Sequence, residues 1–172
     1  MKISVVSGDI VQVPADALIT AINSGGLWFG GIDRVIDGVA GEHFHRQALA
    51  AMPLHDGQVV VATGDGSCKG CFRNVIFVVD DLQQKLSEII YKGLCVASDV
   101  GYKSVSLPTI RMGVMLGEVE KTVDEAVNEM SLGVRRFIDD KPDASIEIIT
   151  FVVYRDVTTK VALESVLSIA SN

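Results

Sequence analysis

The stretch from Ile19 to Gly41 reads ITAINSGGLWFGGIDRVIDGVAG and combines residue types that suit the binding of an anion. A nearly continuous apolar run ends at Asn23, four glycines follow, and helical spacing begins near Asp33. Backbone N–H groups approach a phosphate closely only where side chains are absent, and a helix N-terminus adds a favourable dipole. The stretch therefore predicts a phosphate-binding loop between a buried strand and a helix.

The cysteines and histidines form no convincing metal or redox motif. Cys68 and Cys71 have the spacing of a metal or redox pair, but no second close pair completes a four-ligand zinc site. They lie in a polar, glycine-rich loop and not at a helix start, so we interpret them as two loop thiols. His43 and His45 are two residues apart on a predicted helix and point to different sides. We predict no metal site and no cofactor.

Strand and helix patterns alternate along the chain, and they would position the glycine loop. Strands are predicted at Lys2–Val6, Asp16–Ile22, 58–63, 74–79, 103–108 and 145–154. Apolar residues at helical spacing predict helices over 32–40, 44–52, 86–100, 119–137 and 156–170. This alternation predicts a largely parallel sheet with helices on both faces, a three-layer α/β/α sandwich. Ligands in such folds bind beyond the carboxyl ends of the strands, which selects the loops after Ile22, Leu107 and Val153.

Composition limits the possible functions. The chain has 172 residues, of which 48% are apolar and 22% charged, and its formal net charge is −7 at pH 7. We expect one domain over 1–172. The apolar runs are too short to span a membrane and the odd cysteine count suits a reducing compartment, so we expect a soluble cytoplasmic protein. The negative charge argues against nucleic acid as a partner, because that surface is normally basic. Backbone dipoles would have to hold an anionic ligand.

Four ordered segments extend the pattern beyond the glycine loop. They read GDI at Gly8–Ile10, ADALITAIN at Ala15–Asn23 with GGID at Gly30–Asp33, LPTIRMG at Leu107–Gly113, and VVYRD at Val152–Asp156. In this order and in these strand contexts they resemble the motifs of the macro domain family. The resemblance covers nearly the whole chain and implies a macro domain-like fold with a mixed, mostly parallel central sheet.

The resemblance also implies an ADP-ribose pocket, with an adenine site formed by three residues. Asp9 would accept a hydrogen bond from the adenine amino group, which suits a carboxylate because it only accepts. The backbone of Ile10 would complete the adenine edge, and Tyr154 would stack near the base. From the residues alone, Asp9 is equally a turn residue that binds its own backbone, and Tyr154 an aromatic at a strand end.

Two loops would bind the diphosphate, according to the same resemblance. The amides of Gly30, Gly31 and Ile32 would face the diphosphate and the distal ribose. Residues of the second loop would close from the other side: Arg111, Met112, Gly113, Val114 and Met115. The Arg111 guanidinium would either pair with the diphosphate or point to solvent.

Asn23 and Asp33 are the candidate catalytic residues. The resemblance implies that Asn23 holds the hydroxyls of the distal ribose and that Asp33 orients or deprotonates a water beside its anomeric carbon. Each residue also has a purely structural interpretation. Asn23 ends a strand in a turn, and Asp33 caps or begins a helix.

Several positions depart from the family pattern and leave more than one function open. Thr20 stands where the hydrolases of the family tend to have an earlier asparagine, Phe29 shortens the glycine run, and Met112 adds bulk to the second loop. The first hypothesis is a hydrolase that removes ADP-ribose from an acidic protein side chain, or acetate from O-acetyl-ADP-ribose. The second is a non-catalytic module that binds ADP-ribose or an ADP-ribosylated protein. A third is a phosphate- or nucleotide-binding α/β domain with unrelated chemistry.

Overall fold

A computed structural model of the chain describes residues 1–27, 31–113 and 115–170, in which strands and helices alternate. The strands are β1 (Lys2–Ser7), β2 (Ala15–Ile22), β3 (Val59–Ala62), β4 (Phe72–Val79), β5 (Ser104–Pro108) and β6 (Ile148–Val153). The helices are α1 (Ile32–Ala40), α2 (His43–Ala50), α3 (Leu86–Val100), α4 (Val123–Asp140) and α5 (Val157–Ala170). A short 3-10 turn, Ile10–Gln12, follows β1.

The strands form one mixed sheet in the order β1-β6-β5-β2-β4-β3. Every neighbouring pair is parallel except β3 with β4, which is antiparallel at the edge. The predicted mixed, mostly parallel sheet is therefore confirmed. Because β1, β6, β5 and β2 are parallel neighbours, the chain leaves all four strands at the same edge of the sheet.

Helices cover both faces of this sheet, which confirms the three-layer architecture. Along β2, the side chains of Ala17 and Ile19 pack on one face with α3, α4 and α5. Those of Leu18 and Ile22 pack on the other face with α1 and α2. Such alternation follows from the two-residue repeat of a strand that is buried on both sides. In the described part of the chain, no helix combines the length and apolar character needed to cross a membrane.

Several element boundaries differ by a few residues from those predicted by apolar spacing, and among the starts those of α4 and β6 shift the most. The predicted helix over 119–137 begins only at Val123, because the Thr122 side chain accepts a hydrogen bond from the Glu125 amide at 3.1 Å and caps the helix there. Strand β6 begins at Ile148 and not at Ser145. The Ser145 hydroxyl instead donates to the carbonyl of Tyr102 at 2.8 Å, which holds this segment against the loop after α3.

Candidate functional site

A cleft of about 520 Å³ opens at the carboxyl ends of β2, β5 and β6. Its walls come from the 3-10 turn after β1, the start of α1, the loop after β5 and the residues after β6. All three loops selected from the sequence contribute to it. The volume lies within the roughly 300–1,000 Å³ that is usual for sites of small ligands.

One end of the cleft is formed where β1 and β6 end side by side. Asp9 caps the 3-10 turn, since its Oδ1 accepts a hydrogen bond from the Val11 amide at 3.2 Å. Its Oδ2 has no hydrogen-bond partner among the described residues. Ile10 is buried, whereas the Tyr154 ring is 64% exposed and lies under the guanidinium of Arg155 at 5.0 Å. The structure therefore brings Asp9, Ile10 and Tyr154 to the same cleft, and Asp9 also makes the turn bond that its alternative interpretation predicts.

The N-terminus of α1 forms a second wall. Gly31 is the N-cap residue at φ +89°, in the left-handed region that glycine adopts without strain, and it makes no side-chain cap. A Cβ on Gly31 would meet no atom within 4 Å, so the backbone here is open to a ligand. Gly31 and Ile32 both line the cleft, and the amides of a first helical turn lack intrahelical acceptors. Trp28, Phe29 and Gly30 lie outside the described residues.

The loop after β5 forms a further wall. Gly113 lines the cleft, and a Cβ there would also meet no atom within 4 Å. Within the described residues, the amides of Arg111 and Gly113 have no hydrogen-bond acceptor. The Met112 amide, predicted to face the ligand, instead donates to the Thr109 carbonyl at 3.2 Å, because the chain turns tightly there. Met115 lines the cleft, and Val114 lies outside the described residues.

Both predictions for the Arg111 guanidinium are wrong, because it is buried in an ion cluster. Its Nε and Nη2 donate to the two carboxylate oxygens of Asp80 at 2.8 and 2.7 Å, and Nη2 also donates to the Gln84 carbonyl at 2.7 Å. Its Nη1 donates to both oxygens of Glu120, at 2.9 and 3.1 Å. Burial alone would lower the pKa of Arg111, but the charges and hydrogen bonds of Asp80 and Glu120 raise it above its usual value. No donor is left for a diphosphate.

The two predicted catalytic residues do not line the cleft. The side-chain Oδ1 of Asn23 accepts a hydrogen bond from the backbone N–H of Leu27 at 2.8 Å, and the backbone N–H of Asn23 donates to the Leu27 carbonyl at 2.7 Å. Asn23 thus closes the turn after β2. Asp33 is half-buried in the first turn of α1, next to Ile32 of the cleft wall. Both residues occupy the positions that their structural interpretations describe.

Sequence reasoning did not identify the roles of Thr20, Asp80 and Glu120. Thr20, 2% exposed, lies on the cleft floor, although it had been noted only as a departure from a family pattern. Asp80 directly follows β4, so the carboxyl-end rule applied to one more strand would have found it. Glu120 does not line the cleft, and nothing in the spacing of the sequence pairs it with Arg111 across the loop.

The charges around the cleft favour recognition by the backbone. Its acidic lining residues are Asp9, Asp80 and Asp156, and the one basic lining residue within the described chain is Arg111, whose donors are all used. An anion in the cleft would therefore meet amide groups rather than a cation. The described residues contain no group of three or more acidic, histidine or cysteine side chains that could hold a metal ion. All three cysteines are free thiols.

Comparisons with known proteins agree with this architecture. A family model described as Macro domain matches residues 19–126. An uncharacterized protein of Aquifex aeolicus is 32% identical over 144 residues, covering 80% of this chain and 83% of that protein. A Citrobacter rodentium protein named O-acetyl-ADP-ribose deacetylase is 30% identical over 170 residues, 92% of each chain. A Trypanosoma brucei macrodomain solved with ADP-ribose has a TM-score of 0.76 at 18% identity, covering 95% of this chain and 68% of that one.

Proposed function

This chain belongs to the macro domain family, and from that premise we propose that it binds ADP-ribose in the cleft at the carboxyl ends of β2, β5 and β6. One observation carries the proposal. Two backbone segments, at Gly31 and at Gly113, both line the cleft and have open space where side chains would stand. Such segments suit a diphosphate, because their amide hydrogens can reach its oxygens.

The remaining groups of the ligand match the ends of the cleft. The adenine would lie between Ile10 and Tyr154, with its amino group donating to the Oδ2 of Asp9. The distal ribose would lie toward the first turn of α1. This orientation uses an acceptor for the adenine amino group and backbone donors for the phosphates, and it requires no cation.

Calorimetric titration with adenosine, ADP and ADP-ribose tests the proposal. We expect ADP-ribose to bind, and we expect Gly113→Val to abolish binding of ligands that carry the diphosphate while adenosine binding is retained. The valine Cβ would have free space and an ordinary backbone conformation, so the fold should persist. No binding of ADP-ribose to the unmutated protein, or normal binding by a folded valine variant, would contradict the proposal.

We also propose that the protein hydrolyses ADP-ribosyl esters. Two observations favour this second function: Asp33 lies in the first turn of α1, beside the cleft residue Ile32, and a relative 30% identical is named O-acetyl-ADP-ribose deacetylase. In the reaction of a modified acidic side chain, Asp33 would take a proton from water as the water oxygen bonds to the anomeric carbon. The carboxylate of the protein side chain would leave with the electrons of the broken bond. Such a leaving group needs little help from an acid.

Variants of two aspartates on α1 distinguish a loss of catalysis from a loss of helix stability. We expect Asp33→Ala to lower turnover of a glutamate-linked ADP-ribose by roughly 100- to 10,000-fold, as for loss of one acid–base group, with a much smaller change in affinity. Asp37→Ala, one turn later on the same helix and exposed, should leave turnover unchanged. If the unmutated protein binds ADP-ribose but turns over neither a glutamate ester nor O-acetyl-ADP-ribose, it is a non-catalytic binding module.

A further inference from the structure

The loop after β5, which lines the cleft, is closed at its base by an ion pair. Arg111 is the residue before the loop 112–119 and Glu120 is the residue after it. The Arg111 Nη1 donates to both carboxylate oxygens of Glu120, at 2.9 and 3.1 Å, and the two side chains are only 2% and 5% exposed. The two ends of the loop are therefore held together beneath it, out of contact with solvent.

The same ion pair is anchored to two elements of the scaffold. Asp80, directly after β4, accepts two hydrogen bonds from the guanidinium and one from the Leu82 amide at 2.9 Å. Glu120 accepts a further bond from the amide of Leu86, the first residue of α3, at 3.2 Å. The N-cap residue of that helix, Lys85, makes no side-chain cap. Glu120 thus takes the place of the cap and ties the loop to α3.

The backbone of Arg111 needs this support. Its φ is +62°, in the left-handed region that is unfavourable for any residue with a side chain. A glycine would adopt the conformation freely, but a glycine could not bind Asp80 and Glu120. All five guanidinium N–H groups are used, and they hold the turn that brings Gly113 to the cleft.

We propose that Arg111 is a positioning residue: through Asp80 and Glu120 it holds the described residues of this loop, 112–113 and 115–119, in the arrangement that binds the diphosphate before the ligand arrives. The proposal rests on the proposed binding of ADP-ribose. A loop that is already ordered loses less conformational entropy on binding, and its donors are correctly spaced. The guanidinium acts on the diphosphate through the loop backbone and does not touch it.

Two glutamates of the same region provide a matched test. Glu120→Gln keeps the shape of the side chain but removes its charge and sets an amide N–H against the Arg111 Nη1. We expect its affinity for ADP-ribose to fall roughly 10- to 100-fold, as when binding groups are misplaced, while its affinity for adenosine is unchanged. Glu118→Gln makes the same chemical change at an exposed side chain within the loop and should change neither affinity.

The contrast between ligands distinguishes positioning from general stability. An equal loss for adenosine and ADP-ribose, or a folded Glu120→Gln variant that binds ADP-ribose normally, would overturn the proposal. If Glu120→Gln does not fold, Arg111→Lys allows the same comparison, because lysine keeps the charge but reaches only one carboxylate well. Absence of ADP-ribose binding to the unmutated protein would instead show that the proposed function had failed.

A measurement on the unmutated protein needs no variant. NMR order parameters of residues 112–113 and 115–119 without ligand should resemble those of rigid backbone, about 0.85. Values below about 0.6 would mean that the loop is not ordered in advance, and would overturn the proposal.

Discussion

The two carboxylate oxygens of Asp9 have different surroundings, and this difference predicts how the base is selected. Oδ1 accepts the Val11 amide, so an asparagine at this position would keep its oxygen there and turn its NH₂ toward the base. We expect Asp9→Asn to bind ADP-ribose about 10- to 100-fold more weakly, because a donor would then face the adenine amino group. The same variant should bind the hypoxanthine analogue better than the unmutated protein does, since that base presents an acceptor. Paired calorimetric titrations measure this exchange of preference.

Asp9→Ala is the control for the turn itself. It removes both the base contact and the cap of the 3-10 turn. We therefore expect it to bind ADP-ribose and the hypoxanthine analogue more weakly, without a reversed preference between the two bases. If Asp9→Asn retains the full preference for adenine, Asp9 does not read the base.

At the scale of elements, the crossing of α3 and α4 depends on a glycine in a helix. A Cβ on Gly133 would lie 2.6 Å from the Ser87 carbonyl oxygen and 2.8 Å from the Ile90 Cβ. Alanine gains about 1 kcal/mol in helix propensity, but separating two packed helices typically costs more, about 1–3 kcal/mol. We therefore expect Gly133→Ala to lower the free energy of unfolding in urea by up to about 2 kcal/mol.

Gly38 in α1 provides the opposite case. A Cβ there meets no atom within 4 Å, so only the propensity term acts. Gly38→Ala should stabilise the protein by up to about 1 kcal/mol in the same assay. If Gly133→Ala and Gly38→Ala change the free energy of unfolding in the same direction, close packing around Gly133 does not determine the stability of the Gly133→Ala variant.

The start of α5 should make stability depend on pH in the acid range. The Asp156 carboxylate accepts hydrogen bonds from the hydroxyl and the amide of Thr159 at 2.6 and 3.0 Å, and these lower the pKa of Asp156 below its usual 3.8. A carboxyl group whose pKa is lower in the folded protein than in the unfolded chain stabilises the folded protein. This stabilisation is complete at pH values above the pKa of the unfolded chain, and it is lost as the pH falls through the pKa of the folded protein. We expect Asp156→Ala to cost about 1 kcal/mol at pH 7.

Urea unfolding at neutral and strongly acidic pH measures that dependence. The difference between Asp156→Ala and the unmutated protein should shrink as the pH falls below 3.8. Asp143 is exposed, and its carboxylate accepts no hydrogen bond within the described residues. Asp143→Ala should therefore have nearly the same free energy of unfolding as the unmutated protein at any pH. If Asp156→Ala lowers the free energy of unfolding by the same amount down to the lowest pH, the ionised Asp156 carboxylate does not cap α5.

For the whole molecule, net charge predicts an unusual response to salt. The chain carries a formal charge of −7, and ADP-ribose is a dianion, so their long-range interaction is repulsive. Raising the ionic strength from about 0.01 to 0.15 M shortens the Debye length from about 30 to 8 Å and screens this repulsion. We therefore expect the affinity for ADP-ribose to rise with salt, by about twofold, while that for neutral adenosine stays constant. A steep fall in affinity with salt would instead indicate a cationic phosphate site.

Local patterns in the sequence determined the elements and the layers. Apolar spacing and glycine stops predicted α1 and α3, which end at Gly41 and Gly101 as expected. Period-two and continuous apolar runs predicted the strands, and their alternation with helices predicted a sheet covered on both faces. These features depend on residues within one or two turns of each other, so the chain order alone contains them. The sequence singled out Asp9, Gly31 and Gly113 for the same reason, and all three line the cleft.

Tertiary structure decided the partners of the charged and polar side chains. Arg111 meets Asp80, which is 31 residues away, only because β2 and β5 are adjacent and β4 lies beside β2. An unpaired buried charge is costly, so the guanidinium pairs within the protein, and the proposed phosphate site has only backbone donors. Asn23 likewise closes a turn that no spacing specified. Side-chain partners depend on distances between elements, and these distances are defined only once the strands have assembled into the sheet in their final order.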